Sequence, residues 1–259
     1  MGDQVLNIVL GVVSSALSAA FAWALQAALR RRRLDRKRDF FGLQPGTECL
    51  LVVPRKVGST PGHSVALQDV YALMELASLV RECGARAEIV SHDEVHQGVG
   101  DKAEFCIGGP TANERMAAHL GWKLPGFSVR ADWDTRVNEM IVGDRTYTWE
   151  RGRSEYVLLG RIAGGEDERP TFLICGQTAM SNLAAVRYLT RRQRELMRAH
   201  SPQDSFFLIL HVRQSDSYGA DVIELVADVT AQVSAPPAPT SPPNPPTPTA
   251  PIALSAPTV

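Results

Sequence analysis

The sequence lacks the short motifs that identify common metal, nucleotide and hydrolase sites. Its four cysteines include no CxxC pair and its six histidines form no HExxH pattern, so no metal site is predicted. It contains neither the dinucleotide fingerprint GxGxxG, nor the phosphate-binding GxxxxGK[ST], nor the GxSxG elbow of serine hydrolases. No motif therefore names a cofactor or a catalytic residue, and both stay unknown at this point.

Charge is also absent from residues 5–29, the run VLNIVLGVVSSALSAAFAWALQAAL. This run has about the length that a helix needs to cross a hydrocarbon core. A cleaved signal peptide is disfavoured, because no positive charge precedes the run. The basic residues come after it, as Arg30, Arg31, Arg32, Arg33, Arg36, Lys37 and Arg38. Because cytoplasmic flanks collect such residues, we expect a single-pass transmembrane helix in the cell membrane, with the N terminus outside and the following domain cytoplasmic.

The basic cluster has a second interpretation, which is compatible with the first. Arg30, Arg31, Arg32 and Arg33 would attract anionic lipid headgroups if the segment lies at a membrane surface. From residue 40 to the uncharged C-terminal end, the chain carries 20 basic and 25 acidic residues. That acidic balance excludes a general nucleic-acid-binding surface.

Changes in composition divide the chain into five predicted parts. These are an extracytoplasmic N terminus (1–4), a transmembrane helix (5–29), a basic juxtamembrane linker (30–46), a soluble α/β domain (47–232) and a proline-rich tail (233–259). The tail is uncharged and cannot bury a core, so we expect it to be disordered and extended. It would act as a spacer, or as a ligand that a protein partner with an aromatic groove binds.

The middle of the chain alternates between strand and helix patterns. Buried strands are predicted at 48–53, 87–90, 104–107, 171–175, 205–212 and 222–229. Helices follow several of them, one capped by Ser64 and ended by Gly84, one over 111–120 with a Thr111–Glu114 capping box, and one ending near Ala199. Short alternating segments over 127–161 predict antiparallel ribbons. The predicted fold class is α/β, with an open, mostly parallel, three-layer Rossmann-like sheet and an antiparallel ribbon insertion.

Three strand-to-helix loops, at 55–64, 108–113 and 176–182, are the candidate binding elements. In such a sheet these loops meet at one edge, where helix N termini favour anionic groups. Glycines allow close approach to a ligand, and the hydroxyl, amide and guanidinium groups add hydrogen-bond donors. The candidate ligand-binding residues are Gly108, Gly109, Thr111, Asn113, Arg115, Gly176, Thr178, Ser181, Asn182 and Asp69. Turn geometry and helix capping would explain most of them without any ligand.

Two acids near the proposed crevice, Asp69 and Glu75, would serve in cleavage of a nucleotide glycosidic bond. Their ordinary roles are a helix-start acid and a surface charge. The helix after the third loop also carries arginines between Arg187 and Arg198, opposite an apolar stripe. Those arginines form a solvated face, or else contact acidic lipid or a partner.

The segments QDVYALMELASLV, FCIGGPTAN, EYVLLGRI and TFLICGQTAMSN occur in this order between Glu48 and Tyr188. This succession resembles a group of uncharacterised bacterial membrane-linked or secreted proteins with a GGPxxN loop. More distantly, the layout is similar to Rossmann-like nucleotide-binding domains of the deoxyribosyltransferase and TIR kind. The later loop reads GQTAMSN, where those domains have a GxGT-like step. The resemblance implies the fold and a nucleotide-like ligand, and it brings no established activity.

Three functions follow as hypotheses. The first is a membrane-anchored cytoplasmic α/β domain that binds a nucleotide or another anionic small ligand, as a sensor or effector. The second is a non-enzymatic, membrane-tethered scaffold that uses the proline-rich tail. The third is a hydrolase of nucleotide glycosidic bonds.

Overall fold

A computed structural model of the chain describes residues 2–56, 64–95, 98–132 and 134–235. The helices are α1 (Gly2–Phe41), α2 (Leu67–Cys83), α3 (Glu114–Lys123), α4 (Ala179–Ala199), α5 (Ser215–Tyr218) and α6 (Thr230–Ser234). The strands are β1 (Glu48–Val53), β2 (Arg86–Ser91), β3 (Ala103–Ile107), β4 (Phe127–Asp132), β5 (Val137–Val142), β6 (Arg145–Thr148), β7 (Ser154–Ile162), β8 (Thr171–Gly176), β9 (Phe206–Arg213) and β10 (Ile223–Asp228). The tail predicted at 233–259 starts inside α6, where Val233 is buried. Residues 236–259, for which a protein partner is predicted, lie outside the described residues.

Seven strands form one mixed sheet in the order β10-β9-β7-β8-β3-β1-β2. Strands β2, β1, β3 and β8 are parallel neighbours. Strand β7 is antiparallel to β8 and β9, and β10 is antiparallel to β9. The α/β class is therefore confirmed, whereas the expectation of a mostly parallel sheet describes only one half of it.

The antiparallel ribbon is shorter than predicted. Strands β4, β5 and β6 form a separate three-stranded sheet. Strand β7, which the sequence analysis grouped with the ribbon, lies inside the main sheet instead. The reason is that Val157, Leu158 and Leu159 are fully buried, and a strand buried on both faces needs a layer on each side.

The sheet separates two apolar cores, which gives three layers. On one face, alternate residues such as Leu51 and Phe105 pack with the C-terminal end of α1 and with α2 and α4. On the other face, Leu50 and Cys106 pack with α3, α6 and the inner side of the ribbon. Because successive strand residues point to opposite faces, one continuous apolar strand such as β1 supplies both cores.

Two helix starts differ from the prediction. Helix α2 begins after Ala66, with no side-chain cap, rather than at Ser64. Helix α3 begins after Asn113, whose Oδ1 accepts a hydrogen bond from the Met116 amide at 3.0 Å, so the Thr111–Glu114 capping box is wrong. Thr111 belongs to the preceding turn, in which the Ala112 amide bonds the Gly109 carbonyl at 3.0 Å. The left-handed Gly84 does end α2, as expected.

Helix α1 runs through the basic cluster, so the predicted linker 30–46 is helical as far as Phe41. Its last residues, Phe40 and Phe41, are buried in the core. The buried guanidinium of Arg161 donates to the Phe40 carbonyl at 3.3 Å and lies 4.6 Å from the Phe40 ring centre. These contacts fix the direction in which α1 leaves the domain.

In the part of the chain that the structure describes, no helix combines the length and the apolarity needed to cross a membrane. The transmembrane helix predicted at 5–29 is thus not found there.

Candidate functional site

The three candidate loops line one cavity of about 200 Å³. Strands β1, β3 and β8 are parallel neighbours, so the loops that follow them emerge at the same edge of the sheet. Pro54 to Lys56 follows β1, the Gly108–Ala112 turn follows β3, and Gly176 to Thr178 joins β8 to α4. Val129, Ala131 and Asn138 of the ribbon close the other side.

Two of the loop glycines have no space for a side chain. Gly108 has φ +99°, and a Cβ there would lie 2.6 Å from the Cβ of Pro54. A Cβ on Gly176 would lie 2.3 Å from the Asn182 Oδ1. Gly109 differs, because an added Cβ would approach only the Gly176 carbonyl, at 3.4 Å across the cavity. Gly109 is therefore the glycine whose small size serves the cavity rather than the turn.

A buried carboxylate lies at the base of this cavity. Asp69, in the first turn of α2, is 5 % exposed. It accepts one hydrogen bond from the Asn182 Nδ2 at 2.9 Å, and the Asn182 Oδ1 accepts from the Gly176 amide at 2.8 Å. Burial raises the pKa of Asp69 to about 6, although the hydrogen bond from Asn182 opposes this rise. The group can therefore gain and lose a proton near neutral pH.

The ribbon is attached to the third loop by two amide side chains. The Asn138 Nδ2 donates to the Gln177 carbonyl at 2.8 Å, and the Gln177 Nε2 donates to the Asn138 carbonyl at 3.0 Å. Since a carbonyl oxygen accepts from the Nδ2, the orientation of the Asn138 amide is fixed. Its Oδ1 is buried and has no hydrogen-bond partner within the described ranges.

A second cavity, of about 360 Å³, adjoins the first within the ribbon. The two cavities share Ala131 and Asn138 as lining residues. Trp149 lines the second cavity, and its indole Nε1 is buried with no acceptor among the residues that the structure describes. The exposed Arg136 and Arg151 complete its rim. Each part of this double cavity therefore offers at least one buried polar group.

Seven of the ten predicted binding residues line the first cavity. They are Asp69, Gly108, Gly109, Thr111, Gly176, Thr178 and Asn182. The exposed Arg55 and Lys56 also line it, whereas 57–63, with His63, lies outside the described residues. Glu75, the second acid considered, is not a lining residue, and its carboxylate pairs with Arg187 at 3.0 Å.

The other three predicted residues, Asn113, Ser181 and Arg115, stabilise the fold and do not line the cavity. Asn113 caps α3, and its Nδ2 donates to the Ile107 carbonyl at 2.7 Å. Ser181 is fully buried in the capping box of α4. The hydroxyl of Thr178 is engaged there too, since it accepts from the Ser181 amide at 3.1 Å and donates to the Glu155 carboxylate. Thr178 therefore lines the cavity, but its hydroxyl group is already engaged in hydrogen bonds with Ser181 and Glu155.

Arg115 belongs to a buried ionic cluster whose residues do not line the cavity. Glu104 accepts from the Arg115 guanidinium at 2.8 Å and contacts the His119 Nε2 at 2.8 Å. Burial by itself raises the pKa of Glu104, but hydrogen bonds from His119 and Arg115 outweigh it and hold the pKa below its usual value. Ligand atoms of Glu104, Cys106 and His119 lie within 4.8 Å of one another, which is suitable for a metal ion. However, both carboxylate oxygens are already bonded and the guanidinium neutralises them, so the cluster has the structure of an ion-pair network.

Three cavity residues, Asn138, Gln177 and Trp149, were not predicted from the sequence. Asn138 carried one recognisable sign, since it shares the inward face of β5 with Met140 and Val142. A polar residue on the buried face of an alternating strand must find a hydrogen-bond partner. Gln177 and Trp149 had no such sign, because their roles depend on contacts with distant strands.

No family model, no curated protein and no solved structure matches this chain. The geometry of the double cavity is therefore the basis for assigning a function.

Proposed function

We propose that the double cavity binds a nucleotide or a closely related anionic small molecule, and that the protein acts as a ligand-dependent sensor or effector. The observation that carries this proposal is the convergence of three loops and the ribbon on one cavity that Asp69 and Asn138 line, where the buried Oδ1 of Asn138 has no hydrogen-bond partner among the described residues. An unpaired buried polar atom costs on the order of 1 to 3 kcal/mol. Such groups persist where a ligand supplies the missing partner.

The chemistry of the two cavities fits different parts of a nucleotide. The ionised Asp69 carboxylate would accept hydrogen bonds from sugar hydroxyls, as acidic residues do in dinucleotide sites. In the adjoining cavity, the Asn138 Oδ1 would accept from an exocyclic amine, and the Trp149 Nε1 would donate to a ring nitrogen or carbonyl. The exposed guanidinium of Arg55 lies at the first loop, where it would pair with a phosphate.

Isothermal titration calorimetry of the full chain in a mild non-ionic detergent, against ribonucleotides and dinucleotides, tests this proposal. We expect at least one member to bind, and expect Asn138→Ala to weaken that binding at least tenfold. Glu75→Gln is the matched control, because Glu75 lies on the same helix as Asp69 but outside the cavity. If no member of the panel binds, or if Asn138→Ala and Glu75→Gln behave alike, the proposal is refuted.

Asp69 also supports a second candidate function, the cleavage of a nucleotide glycosidic bond. A carboxyl group whose pKa is raised to about 6 can act as acid or base at neutral pH. Chromatography of each nucleotide after incubation would reveal a released base. An enzyme should lose this release in Asp69→Asn while it still binds the nucleotide, because asparagine keeps the acceptor that faces Asn182.

We further propose attachment to a membrane through 5–29, with the α/β domain in the cytoplasm. The uncharged run and the basic cluster that follows it support this orientation. Exposed apolar side chains on α1, including Leu17, Phe21 and Trp23, support contact with a lipid phase. A reporter fused after Val259 should be active only in the cytoplasm, and activity outside the cell would reverse the assignment.

A further inference from the structure

A third and larger cavity, of about 530 Å³, lies between α1, α2 and α4, on the opposite side of the sheet from the ribbon. Its lining residues are Arg30, Arg33, Leu34, Arg36, Lys37, Glu82, Gln193, Arg194, Met197 and Arg198. We call this cavity the basic groove. It shares no lining residue with the double cavity, so its role is independent of the ligand proposed there.

The basic groove holds six cationic side chains and a single acidic one. Lys37 pairs with Glu82 at 2.6 Å, which neutralises both of these groups. The remaining five cations are all arginines, and within the described ranges none of them has a carboxylate within ion-pair distance. Like charges gathered in one concavity repel one another and raise the local concentration of anions.

Tertiary packing creates this concentration of charge. On α1, Arg30, Arg33 and Lys37 recur at helical spacing and lie on one face. On α4, Arg194 and Arg198 face them across the groove. The two helices are held in this arrangement because Phe40 and Phe41 are buried against the sheet. Two basic segments more than 150 residues apart thereby become one site.

The floor of the groove is not purely ionic. Leu34 and Met197 line it and are half-buried, which gives it an apolar base. Gln193 donates from its Nε2 to the Thr190 carbonyl at 2.8 Å. Its Oε1 is buried and finds no donor in the part of the chain that the structure describes. A ligand that combines a phosphate with a hydroxyl group would satisfy both the arginines and this oxygen.

The position of the groove indicates the source of that ligand. Immediately before Arg30, α1 exposes Leu25 and Leu29, and further back Phe21 and Trp23. The groove therefore opens next to an exposed apolar helical surface, as a headgroup site does beside acyl chains. We infer that the basic groove binds the phosphodiester headgroup of an anionic, hydroxyl-bearing lipid, such as phosphatidylglycerol.

The test uses the full chain in dodecyl maltoside, titrated with dioctanoyl phosphatidylglycerol and followed by native mass spectrometry. The groove variant is Arg194→Gln with Arg198→Gln, which leaves the basic run of α1 intact. The control is Arg191→Gln with Arg192→Gln, which removes the same formal charge from the same helix outside the groove, at arginines that pair with Asp221 and Glu195. We expect the groove variant to bind roughly 30-fold more weakly, since each cation near an anionic surface contributes on the order of fivefold in affinity. The control should bind as the unmodified protein does.

Two further measurements separate the sources of the anion. Dioctanoyl phosphatidylcholine, which has no net charge, should bind the unmodified protein and the groove variant equally weakly. Millimolar inorganic pyrophosphate should leave phosphatidylglycerol binding unchanged. Equal weakening in the groove and control variants would show diffuse charge attraction and overturn the inference. Displacement of the lipid by pyrophosphate would also overturn it, because the groove would then be a site for soluble polyanions.

Discussion

We expect Asp69→Asn to stabilise the protein at neutral pH and to leave its stability almost unchanged at pH 4. Asp69 is 5 % exposed and accepts one side-chain hydrogen bond, from Asn182 at 2.9 Å. Asparagine has nearly the same shape and keeps an oxygen for this bond. The substitution therefore removes the buried charge and leaves the packing in place.

The expected magnitude follows from the raised pKa. The pKa of Asp69 rises from 3.8 to about 6 on folding, so between these values the folded state binds more protons than the unfolded state. Stability contributed by the protonated group is thus present below pH 3.8 and is lost as the pH rises through about 6. At 1.36 kcal/mol for each pKa unit, the loss amounts to about 3 kcal/mol above that pH. Asparagine does not titrate, so the variant avoids this loss.

Urea unfolding of the full chain in detergent, at intervals between pH 4 and pH 8, measures the effect. The difference in unfolding free energy between variant and unmodified protein should grow from near zero at pH 4 to about 3 kcal/mol at pH 7. The control variant, Glu75→Gln, should not be more stable than the unmodified protein at pH 7, because the Glu75 carboxylate is partly exposed and its ion pair with Arg187 would be lost. A difference that does not depend on pH, or a variant less stable at pH 7, would refute the reasoning.

Three further substitutions test the residues that surround the cavity. Glu104→Gln should lower the unfolding free energy by about 3 kcal/mol, because the largely buried Arg115 guanidinium would lose its counter-charge. In the unmodified protein, the stability that the ionised Glu104 contributes is lost as the pH falls through its lowered pKa. The two proteins should therefore differ least in unfolding free energy at acidic pH. A difference that is the same at every pH would contradict the role of the ion pair. Gly108→Ala should cost about 1 to 3 kcal/mol, because φ is +99° and Pro54 blocks the added Cβ. Gly109→Ala should cost less than about 1 kcal/mol and should instead weaken ligand binding. Thermal unfolding and calorimetry compare the two glycines, and equal destabilisation would show that Gly109 is also needed for the turn.

The N-caps of α3 and α4 show which helix starts can be predicted from the local sequence. The Thr178–Ser181 cap of α4 follows from a loop that leads directly into the helix. At α3, Thr111 and Asn113 are both suitable caps, and the predicted cap, Thr111, was the wrong one. Which residue becomes the N-cap depends on a hydrogen bond that the Arg55 amide donates to the Ala112 carbonyl at 2.9 Å. This hydrogen bond joins two loops that are distant in sequence and extends the turn before α3. The helix propensities of neighbouring residues carry no information about such a long-range contact.

The position of β7 has the same explanation. Its apolar residues predict a strand, and the strand is present. Whether it joins the ribbon or the main sheet depends on which partners cover its two faces, and those partners are β8 and β9. A strand pattern gives the direction of side chains and not the identity of neighbours.

The sequence by itself determined the α/β class, the strand-to-helix loops and seven residues of the first cavity, because alternation, capping and glycine turns are local properties. It also determined the uncharged run and the basic cluster that follows it. Only the tertiary structure brought Asn138 into the cavity that Asp69 lines and Trp149 into the adjoining one, and only the burial of Phe40 and Phe41 brought two basic helices together. Long-range packing decides these contacts, since each depends on the shape of surfaces that no single segment encodes.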